Sequence, residues 1–225
     1  CIRDSLIIGQ DYHKNKMFKA KEIEGELKYA VRRQEETIYH RQLKMTSPAL
    51  NRFRDLVLYN LEAGQAVLTD NNDIRIYTDG KEKFHALIEE MKRAKKYIHV
   101  QYYIIRNDEV WQDIEKVLIE KAHEGVEVRV LFDSMGCRTM HKRDWDRLKC
   151  EGIRVAEFFP AILGQLQMRV NYRNHRKIVV IDGKVGFVGG FNVGREYIGK
   201  DEKFGYWRDT HLCICLLYTS DAADE

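Results

Sequence analysis

No apolar run in this 225-residue chain approaches the roughly twenty residues that a helix needs to cross a bilayer. The best stretch, around Ile178–Val188, is cut by Asp182 and Lys184, and no signal-peptide pattern opens the chain. Cysteine is odd in number: Cys1, Cys137, Cys150, Cys213 and Cys215 lack zinc spacing and suit a reducing compartment without disulfides. There is no G-x-G-x-x-G, no G-K-[ST] and no H-E-x-x-H, which argues against a nucleotide cofactor and a zinc-protease site. The histidines at 13, 40, 85, 99, 123, 141 and 211 show no metal-ligand spacing either, so neither metal nor cofactor is expected. Charge of one sign is also missing. Against 38 Lys and Arg stand 35 Asp and Glu, interspersed, so no patch calls for nucleic acid. No internal repeat is visible.

What is present concentrates in Asn174-His175-Arg176-Lys177-Ile178-Val179-Val180-Ile181-Asp182-Gly183 and the following Gly189-Gly190-Phe191-Asn192. Strand alternation would put His175 and Lys177 on one face. Asp182-Gly183 between two apolar runs predicts a two-residue hairpin turn. The register would then pair Ile181 with Lys184, Val179 with Gly186, Lys177 with Val188, His175 with Gly190 and Arg173 with Asn192. A glycine opposite the imidazole leaves room for a tetrahedral group and exposes backbone N–H donors, with Asn192 flanking the space. An ammonium at Lys177 neutralises phosphate oxygens as a point charge. Histidine attacks phosphorus when neutral and protonates a leaving oxygen when charged. The plainer alternative is an ordinary buried hairpin whose polar residues are solvated. H-x-K-x-x-x-x-D followed by G-G-x-N is not a spacing expected by chance at this composition.

His175-x-Lys177-x-x-x-x-Asp182 with Gly189-Gly190-x-Asn192 resembles the HKD motif of the phospholipase D superfamily. Asn171–Lys177, Glu196-Tyr197-Ile198-Gly199 and Trp207-Arg208-Asp209-Thr210-His211 are similar to the bacterial cardiolipin synthases. So are Ile98–Ile104 and Gly125–Asp133. The resemblance runs from about Asn51 to Leu212 and implies a two-step transfer through a phosphohistidine, without a metal. One histidine attacks phosphatidylglycerol, a second from another HKD half protonates the departing alcohol, and a second phosphatidylglycerol accepts the group, giving cardiolipin. By resemblance His175 is the nucleophile, Lys177 the phosphate binder, and Asp209 the carboxylate that orients His175. Asp209 reads equally as a surface partner of Arg208. Asp182, although named in the motif, falls in the turn and away from the His175 face, so it is expected to fix the hairpin through local backbone N–H groups. Implied partners are phosphatidylglycerol, an anionic membrane surface and a second HKD half. The implied location is the cytoplasmic face of the cell membrane. Two alternatives stand beside this: a homodimeric phosphodiesterase or nuclease, and a half that binds phosphate or lipid head groups without turnover.

The chain opens at Cys1 rather than at methionine, and residues 1–46 are expected to be a charged helical leader downstream of a missing membrane anchor. Residues 47–212 are expected to form the first catalytic domain. Residues 213–225 depart from the family pattern and are expected to be foreign to the protein. Helix is expected over Lys19–Lys44, from Ser47-Pro48 to Glu62, and over Lys81–Lys95, Glu109–His123 and His141–Cys150. Strands are expected at Tyr97–Ile105, Val126–Phe132 and Arg154–Phe158, in the Arg176–Val188 hairpin, and in a short hairpin of Gln65–Leu68 with Ile74–Tyr77. The alternation predicts an α/β layered fold, a mixed β-sheet flanked by helices. Trp111 stands where the family usually has glycine.

Overall fold

The computed structural model describes residues 21–39, 52–64, 66–69, 72–158 and 173–216. They fall into two compact units that divide between Asp70 and Asn71. That division is later than residue 46 because the helix expected to open the catalytic domain packs on the leader helix instead. In the first unit α1 (Lys21–Tyr39) and α2 (Arg54–Gly64) bury Val31 and Leu61, with Val57, Leu58 and Val67 around them. Ser47 and Pro48 lie outside the described residues. Residues 66–69 are not a strand, contrary to the expected hairpin. The Gln34 side chain occupies both backbone groups of Leu68, donating to its carbonyl at 2.8 Å and accepting from its N–H at 2.7 Å, which leaves neither for a ladder.

The second unit is a seven-stranded mixed sheet with helices, as expected. In chain order its elements are β1 (Asn72–Asp79), α3 (Gly80–Arg93), β2 (Tyr97–Tyr102), α4 (Glu109–His123), β3 (Glu127–Asp133), α5 (Lys142–Cys150), β4 (Arg154–Phe158), β5 (Ile178–Ile181), β6 (Val185–Gly189), a 3-10 turn (Arg195–Ile198) and β7 (Arg208–Leu216). Across the sheet the order is β1-β7-β6-β5-β2-β3-β4. Pairing is parallel for β2 with β3 and β3 with β4, and antiparallel elsewhere. The strand expected to pair locally at Ile74–Tyr77 pairs instead with distant β7, Ile74 opposite Ile214 and Tyr77 opposite His211. β7 itself runs to Leu216, so Cys213–Leu216 complete a ladder on both sides, and Cys213 is in the core.

Alternation along the strands sorts the two faces. Ile98, Val100 and Tyr102 of β2, Val128, Val130 and Phe132 of β3, and Val179 and Ile181 of β5 are buried with Phe84, Leu87 and Met91 of α3 and with Ile114 and Leu118 of α4. Trp111 is 1% exposed, and its ring meets Trp145 of α5 edge-on at 6.0 Å. The indole therefore fills the core between two helices. Asp79 caps α3 by accepting from the N–H of Lys81 and Glu82. Asp108 caps α4 likewise and also accepts from Arg195 N–H at 2.7 Å, tying that helix to the 3-10 turn.

The β5–β6 hairpin differs from expectation by one residue. Asp182 (φ 53°) and Gly183 (φ 67°) adopt the left-handed conformations of the expected tight turn, and Lys184 N–H donates to Ile181 at 2.9 Å. Yet Ile181 pairs with Val185, not Lys184, and Val179 with Phe187, not Gly186. Lys184 is an extra residue, a bulge-like insertion that turn composition alone does not announce.

Candidate active site

The sheet reverses direction at β2, which is parallel to β3 on one side and antiparallel to β5 on the other. Five segments therefore meet at one sheet end: Tyr103 just after β2, Asp133 closing β3, His175 to Lys177 leading into β5, Gly189-Gly190 leaving β6, and Asp209 entering β7. Such a switch point leaves a crevice beyond the strand ends.

His175 and Lys177 come together there, although neither lies in a strand; the ladder begins at Ile178. Lys177 Nζ is 2.7 Å from His175 Nδ1 and 2.7 Å from the His175 carbonyl oxygen. Lys177 is 4% exposed, while His175 is open to solvent. Burial pulls the ammonium down to about 8 against the pull of Asp209. Burial and then the Lys177 charge lower the imidazole, with Asp133 acting in the other sense. At neutral pH the pair is therefore a charged amine donating to a neutral imidazole, with Nζ also 3.2 Å from Nε2; the ring's single lone pair becomes available to phosphorus when the amine turns from it to the phosphoryl oxygens.

Gly190 is not opposite His175. A side chain there would overlap the Asp209 carboxylate, so the space it leaves is filled by Asp209. Its N–H donates to the Thr210 carbonyl at 2.8 Å rather than pointing at an open site. Asp209 accepts from the Thr210 N–H at 2.7 Å, and its charge acts on Lys177. Asn192 is 5% exposed, with its oxygen taken by the Ile104 N–H (3.1 Å) and its amide donating to the Tyr197 hydroxyl (2.9 Å). That amide clamps the end of β2 to the 3-10 turn and keeps one N–H spare. Asp182 sits at the far end of β5. Its carboxylate accepts from the N–H groups of Lys95, Lys96 and Tyr97 at 2.7, 2.8 and 2.8 Å. It does fix the hairpin, but to the start of β2 rather than to itself. Burial works to raise its carboxyl, and the three N–H donors outweigh that and hold it below the ordinary range.

Four further groups belong to this floor. The Tyr103 ring lies 4.6 Å from the His175 ring and 5.5 Å beneath Lys177 Nζ. Asp133 is buried and anchors Asn174. His211 is fully buried behind Gly189, with neither ring nitrogen hydrogen-bonded; burial first, then the charges of Lys83 and Lys177, lower it to about 3. Lys83 is fully buried too, its Nζ 2.8 Å from the Tyr102 hydroxyl and 3.8 Å above the Phe84 ring. Signals for some of these lie in the sequence. Lys83 is four residues before Leu87 on the apolar side of α3, His211 shares strand parity with Asp209, and Asp133 ends an otherwise apolar run. Among the described residues no cluster of three or more His, Cys, Asp or Glu is placed to hold a metal ion.

Residues 87–204 match the family described as "Cardiolipin synthase, PLD-like domain". The chain is 45% identical over 210 residues to cardiolipin synthase 2 of Staphylococcus epidermidis, covering 93% of this chain and 43% of that protein. It is also 45% identical to cardiolipin synthase of Oceanobacillus iheyensis, covering 93% and 44%. It thus spans less than half the length of the curated relatives it matches. Among solved structures, NucT from Helicobacter pylori aligns at 16% identity with a TM-score of 0.48, over 68% of this chain and 91% of that one.

Proposed function

This chain belongs to the phospholipase D-like cardiolipin synthase family, and from that premise we propose that it carries the first HKD half of a phosphatidyltransferase making cardiolipin from two phosphatidylglycerol molecules. The neutral His175 is the nucleophile. Its ring nitrogen forms a bond to phosphorus as the P–O bond to the departing glycerol breaks, and that oxygen takes its proton from a histidine of a second half. The hydroxyl of another phosphatidylglycerol then attacks the phosphohistidine and gives its proton back to the second histidine. Lys177 balances charge on the phosphoryl oxygens, and Asp209 holds Lys177 in its charged form. The intact enzyme works at the cytoplasmic face of the membrane on an anionic lipid surface; no described helix of this chain is long and apolar enough to cross one. The observation that carries the reading is the hydrogen-bonded His175–Lys177 pair at the switch point.

General acid catalysis is worth about 10²- to 10⁴-fold, so this polypeptide alone turns over phosphatidylglycerol barely or not at all. A diester whose leaving group needs no proton separates the two requirements. The isolated chain is expected to release one p-nitrophenol from bis-p-nitrophenyl phosphate and to retain the p-nitrophenyl phosphoryl group on the imidazole at 175, measured by absorbance and by mass spectrometry after alkaline quench. Equal release by His175→Ala would end the reading. Within these residues there is one H-x-K motif, and the second reading is a homodimeric phosphodiesterase in which two copies each give a histidine.

A further inference from the structure

Asp133 closes β3 with 1% of its surface exposed. Its carboxylate is held on several sides. Oδ1 accepts from the Met135 N–H at 2.9 Å, Oδ2 accepts from the Asn174 N–H at 3.1 Å, and the Arg173 guanidinium lies 3.6 Å from Oδ1. Two of these three contacts come from the residues immediately before His175. A buried carboxylate is costly unless paired and hydrogen-bonded, so the stretch that carries the imidazole is organised around this charge.

We propose that Asp133 is a positioning residue for His175, pinning the extended stretch that presents the imidazole and supplying the negative charge that favours the ring when it becomes positive. The proposal rests on His175 being the nucleophile. Lys177 from its own segment and the Tyr103 ring at the end of β2 touch the imidazole, Asp133 at the end of β3 acts on it through its charge, Arg173 pairs with Asp133, and Asp209 of β7 acts on Lys177. Of the charges acting on the ring, Lys177 favours the neutral form and Asp133 opposes it. The two acidic side chains thus divide the site, Asp209 serving the amine and Asp133 the imidazole. Bond formation to phosphorus makes the ring cationic, and a fixed negative charge at the end of β3 stabilises that state without reorganising.

Histidine-labelled chain titrated by NMR, with His175→Gln to assign the resonance, gives a readout that needs no turnover. Asp133→Asn removes the charge and leaves one acceptor oxygen for the N–H groups of Met135 and Asn174, so the His175 midpoint should fall by about half a pH unit or more. The fall should be smaller in Asp209→Asn. Arg173→Gln removes the guanidinium that partly neutralises Asp133 and should raise the midpoint. An unmoved midpoint in folded Asp133→Asn overturns the proposal. If that variant does not fold, an unmoved or lowered midpoint in Arg173→Gln does the same. A shifted midpoint in a chain that shows no His175-dependent p-nitrophenol release would remove the phosphatidyltransferase reading and leave the positioning role in place.

Discussion

Lys177 is asked to be both buried and charged, and its value of about 8 sets the pH range in which it can do so. Below that value the ammonium is present; above it the charge, and with it the attraction for a phosphoryl group, drains away. Inorganic phosphate should therefore bind this chain roughly tenfold more weakly for each pH unit above 8, as read by phosphorus NMR. Lys177→Arg should flatten that decline while binding more weakly at pH 7, because a guanidinium cannot reproduce the bond to His175. Asp182 answers to a different test. Its carboxyl is lower in the folded chain than unfolded, so its contribution is full above about pH 4 and is lost as pH falls through the folded value. Asp182→Ala removes the acceptor of three backbone N–H groups and puts alanine at a left-handed position, and should cost about 2–4 kcal/mol in urea unfolding at pH 7. Asp182→Asn should soften the acid limb.

At the level of elements, α3 presents an internal conflict. Its buried side carries Phe84, Leu87 and Met91, and Lys83 is buried with them, with no acidic partner among the described residues. Burial alone pushes its ammonium well below the ordinary value. The unfolded chain therefore binds a proton that the folded one resists, and stability rises with pH toward about 10. Replacing both partners, as Lys83→Met with Tyr102→Phe, should stabilise the chain at pH 7 by about 1 kcal/mol or more. The advantage should shrink as the pH approaches 10, which calorimetry across that range would measure. The same scale explains what was legible in advance. β2, β3, β4, α4 and α5 could be located closely because their apolar spacing is local. The partner of β1 could not, because β7 lies more than a hundred residues away and adjacent apolar runs look alike whether they pair or not. The hairpin register failed by one residue because Lys184 is indistinguishable in composition from a strand residue. At the site, the chemistry of His175 and Lys177 was readable from their spacing, whereas the filling of the Gly190 space by Asp209 required the register of β7.

For the molecule as a whole, the arrangement of the sheet decides how many reacting centres one chain can assemble. The His175–Lys177 floor is built from β2, β3, β5, β6 and β7 of a single polypeptide, so its first chemical step should not depend on assembly. Release of p-nitrophenol per chain is expected to stay constant on dilution, with the state of association followed by light scattering. A rate falling with the square of concentration would instead place the dimeric phosphodiesterase reading first. One consequence of the hairpin staple reaches back to the motif itself. The imidazole and amine stand at one end of β5 and the aspartate that names the motif is fastened at the other. The interval of residues between Lys177 and Asp182 is thus a ruler cut to the length of one strand. Adding or removing a single residue within it must either turn the amine through half a rotation, away from the phosphate, or tear the far anchor loose.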